Sequence, residues 1–228
     1  MAESKPPAKA AITRSPADQA WFVTFRWQQF RGEARANQLR LLSIGAFYLT
    51  HLWQYYGSQG DDARFHLLIS LLALGWCTVA AAVHFSLRAR FFPAWLPFVS
   101  TLADVVFLSL TMCVSVGTRS PLIMAYPLII AMTSLRFDLR LVRVATVASL
   151  VGYLCVAGCS KWPETFGLSA EVERTVPRQF QLMTLVGIGL SGLIIGQAVR
   201  SARSAAVEFA GRLEPTDETA DNQREVAS

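Results

Sequence analysis

Long apolar stretches alternate with short polar breaks along most of this chain. A bilayer's hydrocarbon core, about 30 Å thick, takes roughly 20 apolar residues in a helix. Six stretches fit that rule or come near it: Leu41–Gly57, Phe65–Phe85, Trp95–Val116, Pro121–Phe137, Leu141–Cys159 and Phe180–Val199. The fourth is short and holds Pro127, which predicts a kink or a local thinning of the bilayer. Only Asp138, Leu139 and Arg140 separate a fourth helix from a fifth, so these two form a tight hairpin. The pattern predicts an all-α, polytopic membrane bundle of six transmembrane helices over residues 41–199.

The flanks read differently. Residues 1–19, rich in Lys, Pro and Ala, lack the apolar core of a signal peptide and are expected to be a disordered cytoplasmic leader. Residues 20–40 combine Trp21, Phe22, Phe25, Trp27 and Phe30 with Arg26, Arg31 and Arg35. Such a helix can lie in the headgroup layer as an amphipathic interfacial helix; it can equally extend the first span into the cytoplasm. After the sixth span, Ile195, Val199, Ala202, Ala206, Phe209 and Leu213 recur at spacings of four and three. That is a short heptad seam, carried beyond the membrane by an exit helix over 200–213. Pro215 ends it, and residues 214–228 read as a disordered acidic tail.

Composition agrees with the pattern. Of 228 residues, 53% are hydrophobic and 16% charged, with a mean hydropathy of +0.36; soluble domains average about 25% charged. This excludes a disordered chain, a disulfide-rich secreted scaffold and a nucleic-acid-binding module. The formal charge of +5 is a topology signal, since basic residues gather in short cytoplasmic segments. Seven lie before the first span, from Lys5 to Arg40. Two more are Arg88 and Arg90, three are Arg136, Arg140 and Arg143, and four lie beyond Val199. With both termini inside, 16 of the 21 basic residues face the cytoplasm, and the first outer loop carries Asp61 and Asp62. The expected location is the bacterial cytoplasmic (inner) membrane.

Candidate chemistry is sparse. Asp104 falls near the middle of the third span, where an ionisable group faces the bundle interior or a cavity and marks a functional site by default. Thr101, Thr111 and Ser115 share its helical face, either as a ligand or proton site or as a hydrogen-bonding network between helices. His51, Gln54 and His66 lie toward the outer side, as do Cys113, Cys155 and Cys159; His51 and His66 are weak metal candidates without a ligand motif. In the sixth span Gly192 and Gly196 form a GxxxG that permits close helix approach. With Val199, Phe209 and Leu213 they are the candidate interface to a protein partner or a second copy. No P-loop, GxSxG, HExxH, CxxC or dinucleotide fingerprint is present, so no enzymatic activity is expected.

One order of features is distinctive. The basic turn with Arg88 and Arg90 leads to Trp95 and a leucine-rich helix bearing Asp104. A short outer turn, Gly117-Thr118-Arg119-Ser120-Pro121, follows, then Tyr126 and a basic hairpin. Over roughly residues 41–213 this resembles the six-helix N-terminal input domain of bacterial sensor histidine kinases and nucleotide cyclases, including the quinone-responsive redox kinases. The resemblance implies a sensory bundle, a quinone as possible ligand, and Gly117, Ser120 and Pro121, with Asp104 below them, as the ligand-binding positions; Tyr126 is a further candidate ligand residue. The phosphoacceptor and ATP-binding regions, or the cyclase domain, that follow in those proteins are not in this sequence. The expectation is therefore a regulatory bundle that acts through a partner; the alternatives are an accessory subunit of a larger membrane complex or a small transporter.

Overall fold

The computed structural model describes residues 16–57, 63–163 and 175–213, and every secondary-structure element among them is helical. The elements are α1 (Pro16–Gly57), α2 (Ala63–Arg88), α3 (Leu96–Val114), α4 (Ala125–Ser134), α5 (Leu139–Lys161) and α6 (Arg178–Leu213). Two 3₁₀ turns, Gly117–Arg119 and Pro121–Met124, join α3 to α4. The expected leader up to residue 15 and the tail 214–228 lie outside the described residues.

Four helices are long and apolar enough to cross a membrane: α2, α3, α5 and α6. The other two expected spans are helical but of a different kind. α4 has 10 residues, and its preceding segment is 3₁₀. Pro127 is the third residue of α4, in the first turn, where a missing N–H breaks no helical hydrogen bond. The kink expected at Pro127 is thus replaced by the 3₁₀ turn upstream. α1 is 42 residues long, about 63 Å at 1.5 Å per residue, but the polar His51, Gln54 and Tyr55 make its outer part less apolar.

α1 also corrects the boundaries expected before the first span, while its end at Gly57 is as expected. It begins at Pro16, inside the expected leader, and continues without a break from the aromatic, basic segment into the first apolar stretch. Residues 20–40 are therefore not a separate interfacial helix. Gly32, Glu33, Ala36, Asn37, Arg40 and Ile44 are buried in the bundle. Their spacing of three and four places them on one face of α1, which packs against protein rather than headgroups.

The helices pack as two sets of three. α2 lies against α1 and α3, while α5 lies against α4 and α6. The sets meet mainly where α3 packs on α5, around Leu108, Met112, Tyr126, Ile130 and Tyr153, each at most 1% exposed. Gly152 makes this seam possible, since a Cβ there would collide with Ser109 and Val105 of α3. Outward positions are apolar, Leu71, Leu102, Val147, Val151, Met183 and Leu190 among them, all about half or more exposed. The described interior holds two acids and two arginines. Such a distribution suits a hydrocarbon surround and is the reverse of a water-soluble bundle.

Candidate functional site

Two features occupy opposite ends of the bundle: a buried charge network at the end bearing the basic turns, and an open cavity at the other. Four charged side chains make the network, Glu33 and Arg40 of α1, Asp104 of α3 and Arg136 after α4. None is more than 4% exposed, and their formal charges cancel.

Arg40 grips Asp104 with two parallel bonds. Its Nε donates to Oδ1 at 2.6 Å and its Nη2 to Oδ2 at 2.8 Å. The indole Nε1 of Trp76 on α2 adds a third bond to Oδ1, at 2.8 Å. Arg40 Nη1 donates to Asn37 Oδ1 at 2.7 Å, and Asn37 Nδ2 donates to the Ala80 carbonyl of α2 at 3.1 Å. The fork of the guanidinium matches the carboxylate, so Asp104 is a fully partnered carboxylate that ties α1, α2 and α3 together.

About a turn nearer the basic end, Arg136 meets Glu33. Its Nη2 donates to Oε1 at 3.0 Å and its Nε lies 2.7 Å from Oε2. Arg136 Nη1 donates to Thr101 Oγ1 at 2.7 Å and to the Pro97 carbonyl at 3.2 Å. Ser100 Oγ donates to Glu33 Oε1 at 3.2 Å. Local backbone geometry sets this up. Phe137 adopts a left-handed φ of 52°, and the Asp138 side chain caps α5 by accepting from the Arg140 N–H at 2.8 Å. On the facing helix, Gly32 lets α1 close in, since a Cβ there would strike the Leu135 carbonyl.

The cavity, of about 580 Å³, lies between α1, α2, α3 and the second 3₁₀ turn. Phe47, Phe65, Ile69 and Leu122 supply apolar walls, and Thr50, His51, Gln54 and Thr111 supply polar groups. Trp76 lines the cavity with the same indole that bonds Asp104. Its outer wall is knitted across α1 and α2. Tyr48 and Ser70 hydroxyls are 3.0 Å apart, His51 Nε2 is 3.2 Å from His66 Nδ1, and Tyr55 stacks on His66 at 4.1 Å between ring centroids.

The candidate ligand positions therefore divide. Thr111, Ser115, Ser120 and Pro121 line the cavity. Gly117, with φ of 61°, shapes the turn beside it at the position where glycine has least strain. Asp104 stands beneath, bonded to the Trp76 that lines the cavity, while Thr101 belongs to the Arg136 cluster. Tyr126 is away from the cavity, fully buried between α3 and α5. The Ser109 hydroxyl proton is spent on the Val105 carbonyl at 2.7 Å, so Tyr126 donates to Ser109 at 2.8 Å. His51 and His66 meet, but among the described residues no group of three His, Cys, Asp or Glu side chains stands together as a metal site.

The sixth helix divides too. A Cβ on Gly192 would collide with Thr146 of α5, whereas nothing lies within 4 Å of one on Gly196. Val199 is 2% exposed and packs in the chain's own core, so Gly192 and Val199 serve packing within the bundle. The side chains of Phe209 and Leu213 lie outside the described residues.

Glu33, Asn37, Arg40, Trp76 and Arg136 escaped the sequence reading. Arg40 and Arg136 read only as basic flanks, because a membrane boundary by itself accounts for a basic residue there. The available signal was Glu33, the sole acid among residues 20–40, in register with Asn37 and Arg40. Comparison with known proteins finds no matching family model, no matching curated protein and no matching solved structure.

Proposed function

We propose that this chain is a membrane sensory or regulatory bundle that binds a lipophilic ligand in the cavity at the end away from the basic turns. In this reading it crosses a bacterial inner membrane six times, with both termini in the cytoplasm, and has no catalytic site of its own. The observation that carries the proposal is the cavity's link to the charge network. A ligand resting on Trp76 touches the group that donates to Asp104, and Asp104 holds Arg40 on α1, the helix that runs out past the basic end. Displacing one indole therefore alters the clamp between α1 and α3, which is how a ligand biases a bistable packing.

Apolar walls with a few hydroxyl, imidazole and amide groups suit a ring-headed lipid that accepts hydrogen bonds. A quinone, the class the resemblance suggests, has that chemistry. The test is calorimetric titration of the purified chain in detergent with short-chain ubiquinone. Ala73, half-buried on the cavity wall, is replaced by Phe to fill the space. Binding by the native chain, weakened about tenfold, or about 1.4 kcal/mol, in Ala73→Phe, supports the reading. Equal affinity in both, or no saturable binding by the native chain, refutes it for this ligand class.

A further inference from the structure

We propose that the groove between α5 and α6 at the basic end is a binding site for an anionic phospholipid. Its phosphate lies between Arg143 and Arg200, and one acyl chain runs along α6 past Gly196 toward Gly192.

The groove has a volume of about 320 Å³ and is shaped like a wedge. It closes at Gly192, where α6 comes so near α5 that a Cβ would strike Thr146. One turn on, at Gly196, the helices have parted, and a Cβ would find nothing within 4 Å. One further turn on is Arg200, on the same face of α6 by the spacing of four. Arg143 stands opposite on α5, one turn before Thr146 and Val147. The open space thus leads from a pair of arginines into an apolar slot.

The chemistry of the lining selects the occupant. Among the described residues no Asp or Glu lines the groove, both arginines are exposed, and Gln197 adds a neutral amide between them and the slot. Two guanidinium forks without a carboxylate suit a phosphate, to which each can donate in parallel. Val147 and Leu193, 60% and 61% exposed, line the same groove, so its side opens onto the surface that hydrocarbon covers. An ion from solution would leave that slot unfilled. A lipid of the leaflet facing the basic end fills both parts, and basic pockets between transmembrane helices on that side are where anionic headgroups bind. The site is independent of the cavity proposed for the ligand, which lies at the other end between α1, α2 and α3.

Native mass spectrometry of the full chain in mild detergent tests this, with phosphatidylglycerol and phosphatidylcholine of identical acyl chains in competition. The native chain is expected to retain phosphatidylglycerol in preference by on the order of tenfold. Arg143→Gln combined with Arg200→Gln should bring the two lipids to parity. Gly196→Leu, whose side chain enters open space, should lose the retained lipid while keeping the unfolding temperature. Arg88→Gln combined with Arg90→Gln, at the same end but outside the groove, should leave the preference intact. Parity in the native chain overturns the proposal, as does a preference that survives the groove variants or falls equally in the Arg88/Arg90 control. A Gly196→Leu chain that changes from dimer to monomer with unchanged lipid retention also overturns it, by assigning the groove to a second copy.

Discussion

A carboxylate taken from water to the middle of a bundle keeps its charge only if a counter-ion and hydrogen bonds replace its hydration. Asp104 has both, in two bonds from Arg40 and one from Trp76. Breaking such a pair by removing one partner costs about 3–5 kcal/mol, whereas replacing both partners by apolar groups is often neutral. Asp104→Asn is therefore expected to lower stability by roughly that amount, read as a fall in unfolding temperature in detergent. Arg40→Met combined with Asp104→Leu is expected to recover most of the loss. A double variant as unstable as the single one contradicts the pairing. That Asp104 is interior was legible in the sequence, from its position in an apolar run. Its partner was not, because Arg40 lies 64 positions away and a basic residue at a membrane boundary has a sufficient explanation without one.

Among the elements, α1 departs most from its sequence pattern. Five aromatic side chains and four arginines within residues 20–40 match an interfacial helix, since periodicity alone cannot tell a face that meets headgroups from one that meets protein. What decides it is a small-residue contact. Gly32 brings α1 against the Leu135 carbonyl and so delivers Glu33 to Arg136. Gly32→Ala forces the two backbones apart and is expected to cost about 1–3 kcal/mol, as overpacking of a close contact does. Gly45, on the same helix with nothing within 4 Å of its Cβ position, is the control; Gly45→Ala should be neutral or mildly stabilising, as Ala is favoured over Gly in helices. Equal loss in the two variants, measured by thermal unfolding, would falsify the close-approach argument. α4 gives the same lesson in reverse. Pro127 in a short span predicts a kink or a thinned bilayer, yet the helix begins so late that the proline falls harmlessly in its first turn.

The described helices are apolar along their outward flanks and bury four charges, two sets of three helices joined along α3 and α5 and clamped at the basic end by that network. Successive helices run in opposite directions between the two ends; if α1 crosses with the rest, both termini share the face of the basic end, and if α1 does not cross, the N-terminus is left on the face of the turn between α1 and α2. Cysteine labelling from either face of sealed vesicles separates these, in a chain whose own four cysteines have been replaced. If α1 crosses, a single cysteine replacing Ser4 should react from the same face as one replacing Pro215 or Ser228. If it does not cross, the cysteine replacing Ser4 should react from the opposite face.

The sequence by itself determined the environment, the helical class and the approximate limits of the apolar helices, because those follow from hydropathy and periodicity within one segment. It also indicated which end of the bundle is basic. Only the tertiary structure decided that Asp104 is paired, that residues 20–40 belong to the first long helix, and that Gly192 closes a wedge while Gly196 leaves it open. Each of these depends on which groups distant in sequence come within a few ångströms of one another, and a local pattern of residues contains no record of that distance.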